Sequence, residues 1–496
     1  MSDINFWKNK LKNQRFISHA IIDGQPWFAA SKKTFTVINP ATNCALASVT
    51  ALQASDVDVA VKSARQAFTS GVWCRRSPQE RKTVLLRLSA LLLQHREELA
   101  LLESVSMGKP VNDALTIDVP GAAHVIARYA ESVDKLYDQI APTAKDALAT
   151  ITREASGVVA AVIPWNFPLD IAAWKLAPAL AAGNSVILKP SELSPFSALR
   201  LAELALEAGL PPGVLNVVTG LGTETGTALG LHHDIDVLTF TGSTAVGKAF
   251  MQYAAQSNLK QVWLECGGKS ANIIFADCQD LELAAEKAAF GICFNQGEVC
   301  SANSRLLVDR RIYPDFIDRL CRKLAAWQPA HPLDPASVMG PMVSTAHMEK
   351  VMEAIANARQ AGATLLAGGQ AVSIAGVANY VQPTLLSAES EEMALWQQEI
   401  FGPVLAVRAF DDEQQAIDIA NNHIYALAAS VWTDDLHRAH RVAAKLNAGT
   451  VSVNTVDALD VTVPFGGNKQ SGFGRDLSLH AFDKFTQLKT TWYQLR

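Results

Sequence analysis

The sequence predicts an α/β fold in which parallel sheets are covered by helices, and two observations support this prediction. Between about residues 80 and 260, amphipathic helical patterns alternate with short apolar runs rich in β-branched residues, as in strands buried within a parallel sheet. A chain of 496 residues is also too long for one compact core, because single cores stop growing at about 250–300 residues. The length therefore indicates roughly two to four domains.

The first strong helix signal begins at Ser77. Ser77 and Glu80 have capping-box spacing, and Pro78 lies at the first helical position, where its missing N–H costs nothing. The predicted helix carries an apolar stripe that would face the core, made of Val84, Leu88, Leu91, Leu92, Leu99 and Leu102. We expect this helix to be scaffold.

The strands and helices that follow are predicted in alternation. A helix begins at Ser194-Pro195 and ends at Gly209, a residue suited to the left-handed C-cap. After about residue 265 a second series predicts helices over 309–327 and 344–361 and a strand over 405–410. Buried strands of the first series are predicted over 158–163, 185–188, 214–218 and 237–240.

Composition excludes several function classes. With 49% hydrophobic residues, 18% charged residues and a net charge of −5, the chain has no basic surplus for nucleic acid. No apolar run approaches the ~18 residues of a membrane span, and the first residues lack a signal-peptide core, so the cytoplasm is expected. Seven cysteines without CxxC pairs predict free thiols, and no metal site is predicted.

Three segments together indicate nucleophilic chemistry. Cys300 ends the segment 294–300 and has no partner cysteine at metal or disulfide spacing, so it is either a small buried apolar residue or a nucleophile. The segment 263–269 brings a carboxylate, Glu265, and the segment 164–168 brings an amide donor, Asn166. A thiol, a base and a hydrogen-bond donor are the groups that covalent catalysis at a carbonyl requires.

With these three motifs in this order, the chain resembles the aldehyde dehydrogenase superfamily from about residue 20 to its C-terminus. Further matching motifs lie at 189–192, 240–247, 399–403 and 464–467. The resemblance implies two parallel-sheet αβα domains and a small β extension used for oligomerisation, as a homotetramer or homodimer. It places an NAD-binding domain at 1–133 and 152–264, a catalytic domain at 265–477, and the extension at 134–151 and 478–496.

The strongest cofactor signal is at 241–244, because this segment follows an apolar strand and opens a helix. The free N–H groups and dipole of a helix N-terminus favour a pyrophosphate. The glycines at 220–226 have GxGxxxG spacing, which fits a plain turn as well as a ligand contact. Glu192 follows a strand end, where a carboxylate binds ribose hydroxyls and repels a 2′-phosphate, and so favours NAD; without the resemblance, Lys189 and Glu192 fit an exposed pair at a helix start equally well.

The resemblance implies a full set of cofactor contacts. Ser243 would contact phosphate, Gly222 and Gly226 would lie near adenine, Glu399 would bind the nicotinamide ribose and Phe401 would pack beside the ring. The residues implied to bind the cofactor are Ile163, Pro164, Trp165, Asn166, Lys189, Ser191, Glu192, Gly222, Gly226, Phe240, Thr241, Gly242, Ser243, Val246, Glu265, Cys266, Gly267, Glu399 and Phe401.

The resemblance also implies catalytic roles. Cys300 would add to the aldehyde, Asn166 and the Cys300 backbone N–H would stabilise the oxyanion, and Glu265 would activate water against the resulting thioester. Lys175 matches a supporting lysine near the active centre. Because Glu265 is present, we expect a free carboxylic acid as product rather than a CoA ester. Cys266 departs from the leucine or alanine usual beside the base.

Runs at 118–123, 327–329 and 470–481 resemble bacterial dehydrogenases for ω-amino, γ-glutamylamino and guanidino aldehydes of polyamine and arginine breakdown. A cationic far end calls for carboxylates in an otherwise apolar channel. The loop 454–460 departs from that subgroup, and Asp170 stands where an apolar residue is usual. The candidate substrate residues are Asp118, Trp174, Asp457, Asp460 and Phe465, with Asp170 as a further carboxylate of the same kind.

Three other functions stay open on sequence alone. One is a dehydrogenase of broad aliphatic and aromatic specificity. A second is a catalytically silent relative that serves as a structural or binding protein. The third is a cofactor-free cysteine hydrolase, which would leave the nucleotide motifs without a use.

Overall fold

The computed structural model describes residues 3–495, and its strands are numbered here in chain order. They are β1 Ala20–Ile22, β2 Gln25–Trp27, β3 Thr34–Asn39, β4 Cys44–Thr50, β5 Gln139–Ala141, β6 Ala147–Ala155, β7 Val158–Val162, β8 Ser185–Lys189, β9 Leu215–Val217, β10 Val237–Thr241, β11 Gln261–Glu265, β12 Ala271–Ile274, β13 Arg305–Asp309, β14 Thr364–Ala367, β15 Ala371–Ile374, β16 Val377–Val381, β17 Thr384–Ser387, β18 Val404–Phe410, β19 Tyr425–Ala426, β20 Ala428–Trp432, β21 Thr450–Val453, β22 Asn468–Lys469, β23 Gly472–Phe473 and β24 Thr486–Gln494.

The helices are also numbered in chain order. They are α1 Ile4–Lys12, α2 Ala54–Ser70, α3 Pro78–Gln94, α4 Arg96–Met107, α5 Val111–Asp113, α6 Val119–Ser132, α7 Pro168–Ala182, α8 Phe196–Ala208, α9 Thr227–Leu231, α10 Thr244–Gln256, α11 Leu281–Cys293, α12 Tyr313–Leu324, α13 Thr345–Gln360, α14 Ala394–Gln397, α15 Glu413–Asn421 and α16 Leu436–Lys445. Short π-helical turns occupy Ala114–Asp118 and Gly222–Gly226.

The first sheet has the strand order β2-β1-β9-β8-β7-β10-β11-β23, and its inner strands from β9 to β11 run parallel. The outer strands β2, β1 and β23 pair antiparallel. Alternate residues of β7 enter two different apolar cores, Val159 on one face and Val158 on the other. Both faces are therefore covered, as the alternating helix and strand pattern predicts.

The second sheet has the order β14-β17-β18-β13-β12-β20-β21 and is parallel except at β14. Ile273 and Ile274 of β12 enter separate cores on its two faces. The prediction of two helix-covered parallel sheets is thus confirmed. Among residues 3–495, no helix is both long enough and apolar enough to cross a membrane.

A third sheet is formed by β24, β6 and β5, all antiparallel. It joins the two segments expected to make the extension, but β6 runs on to Ala155, so the expected boundary at 151/152 falls inside a strand. The register pairs Thr486 with Ala155 and Gln494 with Ala147 over the whole length of β24. The domain limits stay a prediction.

Two predicted helices differ from the structure. The helix that starts after Ser77 has the predicted capping box but ends at Gln94, so the prediction of one stripe through Leu102 was wrong. His95 lies between the end of α3 and the start of α4, and its ring contacts Glu98 at 3.0 Å. No glycine or proline at this point indicates the break in the sequence. The helix predicted from 309 starts at Tyr313, because Asp309 is still the last residue of β13.

The other predicted elements are confirmed with shifts of one or two residues. Gly209 caps α8 in the left-handed conformation with φ 98°, and Ser344 caps α13. Ser243 caps α10 directly after β10, as the strand-to-helix motif predicts.

Candidate active site

The order of the first sheet places its ligand site. Strand β7 lies between β8 and β10. From β7 the chain adds β8 and β9 towards one edge of the sheet and then adds β10 and β11 towards the other edge, so the order of strand addition reverses between β7 and β10. Loops that leave the carboxyl ends of strands on either side of such a switch open a crevice. Here Asn166 lies in the loop after β7, Thr241 ends β10 and is followed by the loop with Gly242 and Ser243, and Glu265 ends β11.

A cavity of about 550 Å³ occupies this crevice and extends towards the second sheet. It joins most of the groups that the sequence singles out for chemistry. Its lining includes Pro164, Trp165, Asn166, Phe167, Ile171, Thr241, Gly242, Ser243, Glu265, Cys266, Gly267, Cys300, Glu399 and Phe401.

The thiol is presented by an unusual turn. After α11 the chain passes through Asn295, Gln296 and Gly297 with φ of 48°, 59° and 71°, three consecutive residues in the left-handed region. The two non-glycine residues are strained by about 1–3 kcal/mol each, so other contacts must hold them. Gln296 accepts from the N–H of Gly340 at 3.1 Å, and the Asn295 amide donates to the Asn166 carbonyl at 3.1 Å. The turn leaves Cys300 partly exposed in the cavity.

The Asn166 amide is fixed against the same turn. Its side chain is buried, and Nδ2 donates to the Glu298 carbonyl at 2.8 Å. A side-chain amide carries two N–H donors, so one remains for a ligand. The asparagine is thereby oriented from both sides, since Asn295 in turn donates to its carbonyl.

Glu265 is buried, and neither carboxylate oxygen has a hydrogen-bond partner in the described chain. Burial raises the pKa of this carboxyl well above its usual value, and the negative charge of Asp476 raises it further, while Lys175 and Lys484 act in the opposite direction. A carboxylate with a raised pKa is a stronger base than a free one and is suited to taking a proton from water.

Lys175 lies behind this base rather than in the cavity. Lys175 and Lys484 both bind the carboxylate of Asp476, and all three side chains are buried. Lys175 therefore acts on Glu265 through its charge, as part of an ion-paired group. Sequence alone gave no sign of Asp476 or Lys484.

The thiol itself lies in a negative environment. Burial raises the pKa of Cys300, and the charges of Asp457, Glu399 and Glu265 raise it further. The neighbouring thiol, Cys266, has a pKa raised to about 12, mainly by burial. Both thiols are therefore protonated at neutral pH in this state, and a base or a nearby positive charge is needed to produce the reactive thiolate.

The remaining cavity wall fits a dinucleotide. The N-terminus of α10 opens at the crevice, and the buried hydroxyl of Thr241 beside it lacks a partner. Glu399 accepts from the N–H of Gly268 at 2.9 Å, and burial raises its pKa to about 7. A Cβ on Gly267 would displace the Glu399 carboxylate from its present position, so glycine at 267 lets that carboxylate approach the backbone. These groups could receive a phosphate, a ribose hydroxyl and a flat ring.

Several predicted cofactor residues lie outside this cavity. Lys189 is buried and binds Glu192 at 3.3 Å. Phe240 packs in the core beneath Gly242, whose Cβ would contact its ring, so it supports the loop. The positions outside the lining of the cavity are Ile163, Lys189, Ser191, Glu192, Gly222, Gly226, Phe240 and Val246.

The structure separates the predicted substrate residues. Trp174 packs edge-to-face on Phe465 with ring centroids 5.4 Å apart, and Asp457 lies close enough to Cys300 to affect its pKa. Asp118 is not at a channel mouth: it is buried in an ion pair with Lys109. Asp460 is exposed and accepts from the Thr462 N–H at 2.8 Å.

One wall of the cavity was not predicted. His347, Lys350, Ala354, Asn357 and Ala361 of the α13 segment line it, with the spacing of one helical face. His347 bonds through Nε2 to the Phe401 carbonyl at 2.7 Å and packs on Trp165. The only sequence signal for this wall was the row of polar residues, His347, Lys350 and Asn357, along one face of the helix.

Comparison with protein-family models matches residues 27–491 to the aldehyde dehydrogenase family. Among curated relatives, the NADP/NAD-dependent aldehyde dehydrogenase PuuC of Escherichia coli K12 is 50% identical over 99% of this chain and 98% of its own. The aminoacetaldehyde dehydrogenase of Pseudomonas aeruginosa is 46% identical over 95% of each chain.

Two solved structures are similar to this chain over its whole length. An indole-3-acetaldehyde dehydrogenase in complex with NAD⁺ is 51% identical, with a TM-score of 0.99 and full coverage of both chains. A γ-glutamyl-γ-aminobutyraldehyde dehydrogenase from Burkholderia cenocepacia is 49% identical, with a TM-score of 0.98 and the same coverage.

Proposed function

The chain belongs to the aldehyde dehydrogenase family, and on that premise we propose that it oxidises ω-amino, γ-glutamylamino or guanidino aldehydes of polyamine and arginine breakdown to their carboxylic acids, with NAD. The observation that carries the proposal is the convergence of Cys300, Asn166, Glu265 and Glu399 on one cavity. The seven free thiols support a reducing compartment, which would be the cytoplasm and which cell fractionation would test.

The first steps follow from the positions of three side chains. The Cys300 thiol loses its proton to Glu265 or to solvent, its sulfur forms a bond to the aldehyde carbon, and the carbonyl oxygen becomes an alkoxide. The free N–H of Asn166 and the Cys300 backbone N–H donate to this alkoxide. Bound NAD would supply the acceptor for the hydride that leaves the carbon. The carbonyl then re-forms as a thioester on Cys300.

The second half releases the product. Glu265, once any proton taken up in the first half has passed to solvent, accepts a proton from water while the water oxygen bonds to the thioester carbon, and the Asn166 N–H again stabilises the alkoxide. Collapse breaks the carbon–sulfur bond, frees the acid and returns a proton to the thiol. Burial and Asp476 raise the pKa of this base, and buried Lys175 and Lys484 limit the rise, so that more of the carboxyl is ionised and able to accept a proton.

Initial rates of NADH formation would test the substrate proposal. The panel pairs 3-aminopropionaldehyde and 4-guanidinobutyraldehyde with neutral aldehydes of equal length, each with NAD and with NADP. We expect kcat/KM to be at least tenfold higher for the charged aldehydes than for the neutral ones. We also expect it to be at least tenfold higher with NAD than with NADP, because Glu192 repels a 2′-phosphate. Equal rates for charged and neutral aldehydes would remove the substrate proposal and leave the reaction in place.

A second candidate function is the oxidation of neutral aromatic aldehydes. Phe167 lines the cavity with Cys300, Trp174 packs edge-to-face on Phe465, and a relative of equal similarity is named for indole-3-acetaldehyde. Such walls bind an aromatic ring without any charged partner. A preference for aromatic over charged aldehydes in the same panel would favour this function.

The third sheet supports a homotetramer or homodimer. Strand β24 is an edge strand, and its Leu488 and Trp492, on one face of the sheet, are 67% and 58% exposed. An exposed apolar edge strand is a site for pairing with another chain. We expect a dimeric or tetrameric mass by light scattering, and a lower mass for the double variant Leu488→Glu with Trp492→Glu; a monomeric wild type would contradict this.

A further inference from the structure

Asp170 lies on the helix face that leads to the thiol. In α7 it is three residues after Phe167 and four before Trp174, so the three side chains share one face. Phe167 lines the cavity that contains Cys300, and Trp174 packs on Phe465. A carboxylate therefore lies between two aromatic side chains on the same side of the helix as the reacting sulfur.

One oxygen of this carboxylate is buried without a partner. Oδ1 of Asp170 is buried and makes no hydrogen bond within residues 3–495, although the side chain as a whole is only half-buried. A Cβ on Gly121 of α6 would lie 3.2 Å from this oxygen. Glycine at 121 thus leaves room for the carboxylate, whose Oδ1 is covered by protein while the side chain as a whole stays partly accessible. Leaving such a group unpaired costs about 1–3 kcal/mol.

The other candidate carboxylates are already engaged. Asp118 forms its buried ion pair with Lys109. Asp460 is exposed and accepts from Thr462, and burial raises the pKa of Asp457, which lies near Cys300, while Ser301 acts against this rise. Of the four acids that the sequence offers for a cationic substrate, Asp170 is the one with an unused buried oxygen.

The ionisation of Asp170 responds to its surroundings. Burial raises its pKa to about 7, the charge of Asp118 adds to this, and Lys109 and a hydrogen bond from Trp174 act against it. A cation placed against the carboxylate would hold it in the charged form.

We propose that Asp170 determines substrate specificity by accepting a hydrogen bond with its carboxylate from the ammonium or guanidinium end of the aldehyde, while Trp174 offers its ring to the same cation. The inference rests on the proposed function, since it concerns which aldehyde the same thiol oxidises. It assigns the preference for positive charge to one side chain.

The test compares Asp170→Asn and Asp170→Leu with wild type in the full chain. With either variant, we expect KM for 4-guanidinobutyraldehyde to rise by at least tenfold while kcat changes less than twofold. For a neutral aldehyde of equal length, both constants should stay near wild type, which also shows that the variants fold. Asp318→Asn, at an exposed carboxylate of α12, serves as the matched control.

Wild-type enzyme gives a second measurement that needs no variant. Because the carboxyl is ionised above its pKa, KM for the guanidino aldehyde should fall as pH rises from 6 to 8, and KM for the neutral aldehyde should not. If wild type shows no preference for charge, both the substrate proposal and this inference fail. If wild type prefers charge and Asp170→Asn keeps that preference, this inference alone is overturned.

Discussion

Replacing Cys300 with alanine is expected to abolish NADH formation, with a loss of roughly 10⁴-fold or more, the scale seen when a covalent nucleophile is removed. The reason is chemical: without the carbon–sulfur bond, the aldehyde carbon holds no negatively charged oxygen that can expel a hydride. The groups around it, Asn166 and Glu265, would remain in place. Asn166 and Glu265 would have no covalent intermediate to stabilise or hydrolyse in the variant.

The measurement is the initial rate with the best aldehyde of the panel, together with a titration of NAD by protein fluorescence. The cofactor should bind Cys300→Ala as it binds wild type, because the residues proposed to hold it lie on β10, α10 and the 399–401 segment. Cys44→Ala removes an exposed thiol and should keep full activity. Activity within a hundredfold of wild type in Cys300→Ala would contradict the covalent mechanism.

The roles expected from short motifs could be read from the sequence because each motif is local. Asn166 follows the end of a strand, Thr241 and Glu265 are the last residues of their strands, and an apolar run followed by a polar residue predicts such a position. The parallel strands then bring these positions together at one edge of the sheet. Neighbours in space that are far apart in sequence carry no such signal.

The group behind Glu265 illustrates what sequence could not give. Lys175 and Asp476 are 301 positions apart, and their pairing depends on the docking of the segment after β23 against α7. Asp118 illustrates the converse, since its neighbour Lys109 is only nine positions away but lies across a π-helical turn that no pattern predicts. Asp118, expected to contact the substrate, is instead part of a buried ion pair with Lys109.

The turn before Cys300 also depends on contacts between residues that are far apart in sequence. Left-handed residues are expected at Gly297 but not at Asn295 and Gln296, and their strain is held by contacts with Gly340 and Asn166. The position of the thiol therefore depends on segments far from Cys300 in sequence. Sequence singled out Cys300 as the candidate nucleophile, but only the fold shows how it reaches the cavity.

Replacing Glu265 with glutamine is expected to separate the two halves of the reaction. The glutamine amide cannot accept a proton from water, so hydrolysis of the thioester should slow by roughly 10²–10⁴-fold, the usual contribution of a general base. If the thioester still forms, NADH should appear as a rapid burst of about one equivalent per active site, followed by slow turnover. Rapid-quench analysis would find the acyl group on Cys300.

A matched control is available in the same fold. Glu103 is fully buried, and burial raises its pKa to about 8, so it is mostly neutral at pH 7 and close in shape to glutamine. Glu103→Gln should therefore turn over without a burst. Steady turnover without a burst, at a rate near wild type in Glu265→Gln, would assign the base to another group.

The pH dependence adds an independent readout with a definite sign. Burial, and then the charge of Asp476, raise the pKa of Glu265, so the base is protonated and inactive over more of the acidic range than an exposed glutamate. Wild-type kcat should rise with pH until this carboxyl is ionised, wherever hydrolysis limits turnover. Glu265→Gln should lose that rise, and adding hydroxylamine, which attacks thioesters without a base, should restore its turnover. If hydroxylamine leaves the variant slow, Glu265 acts earlier, in the deprotonation of Cys300.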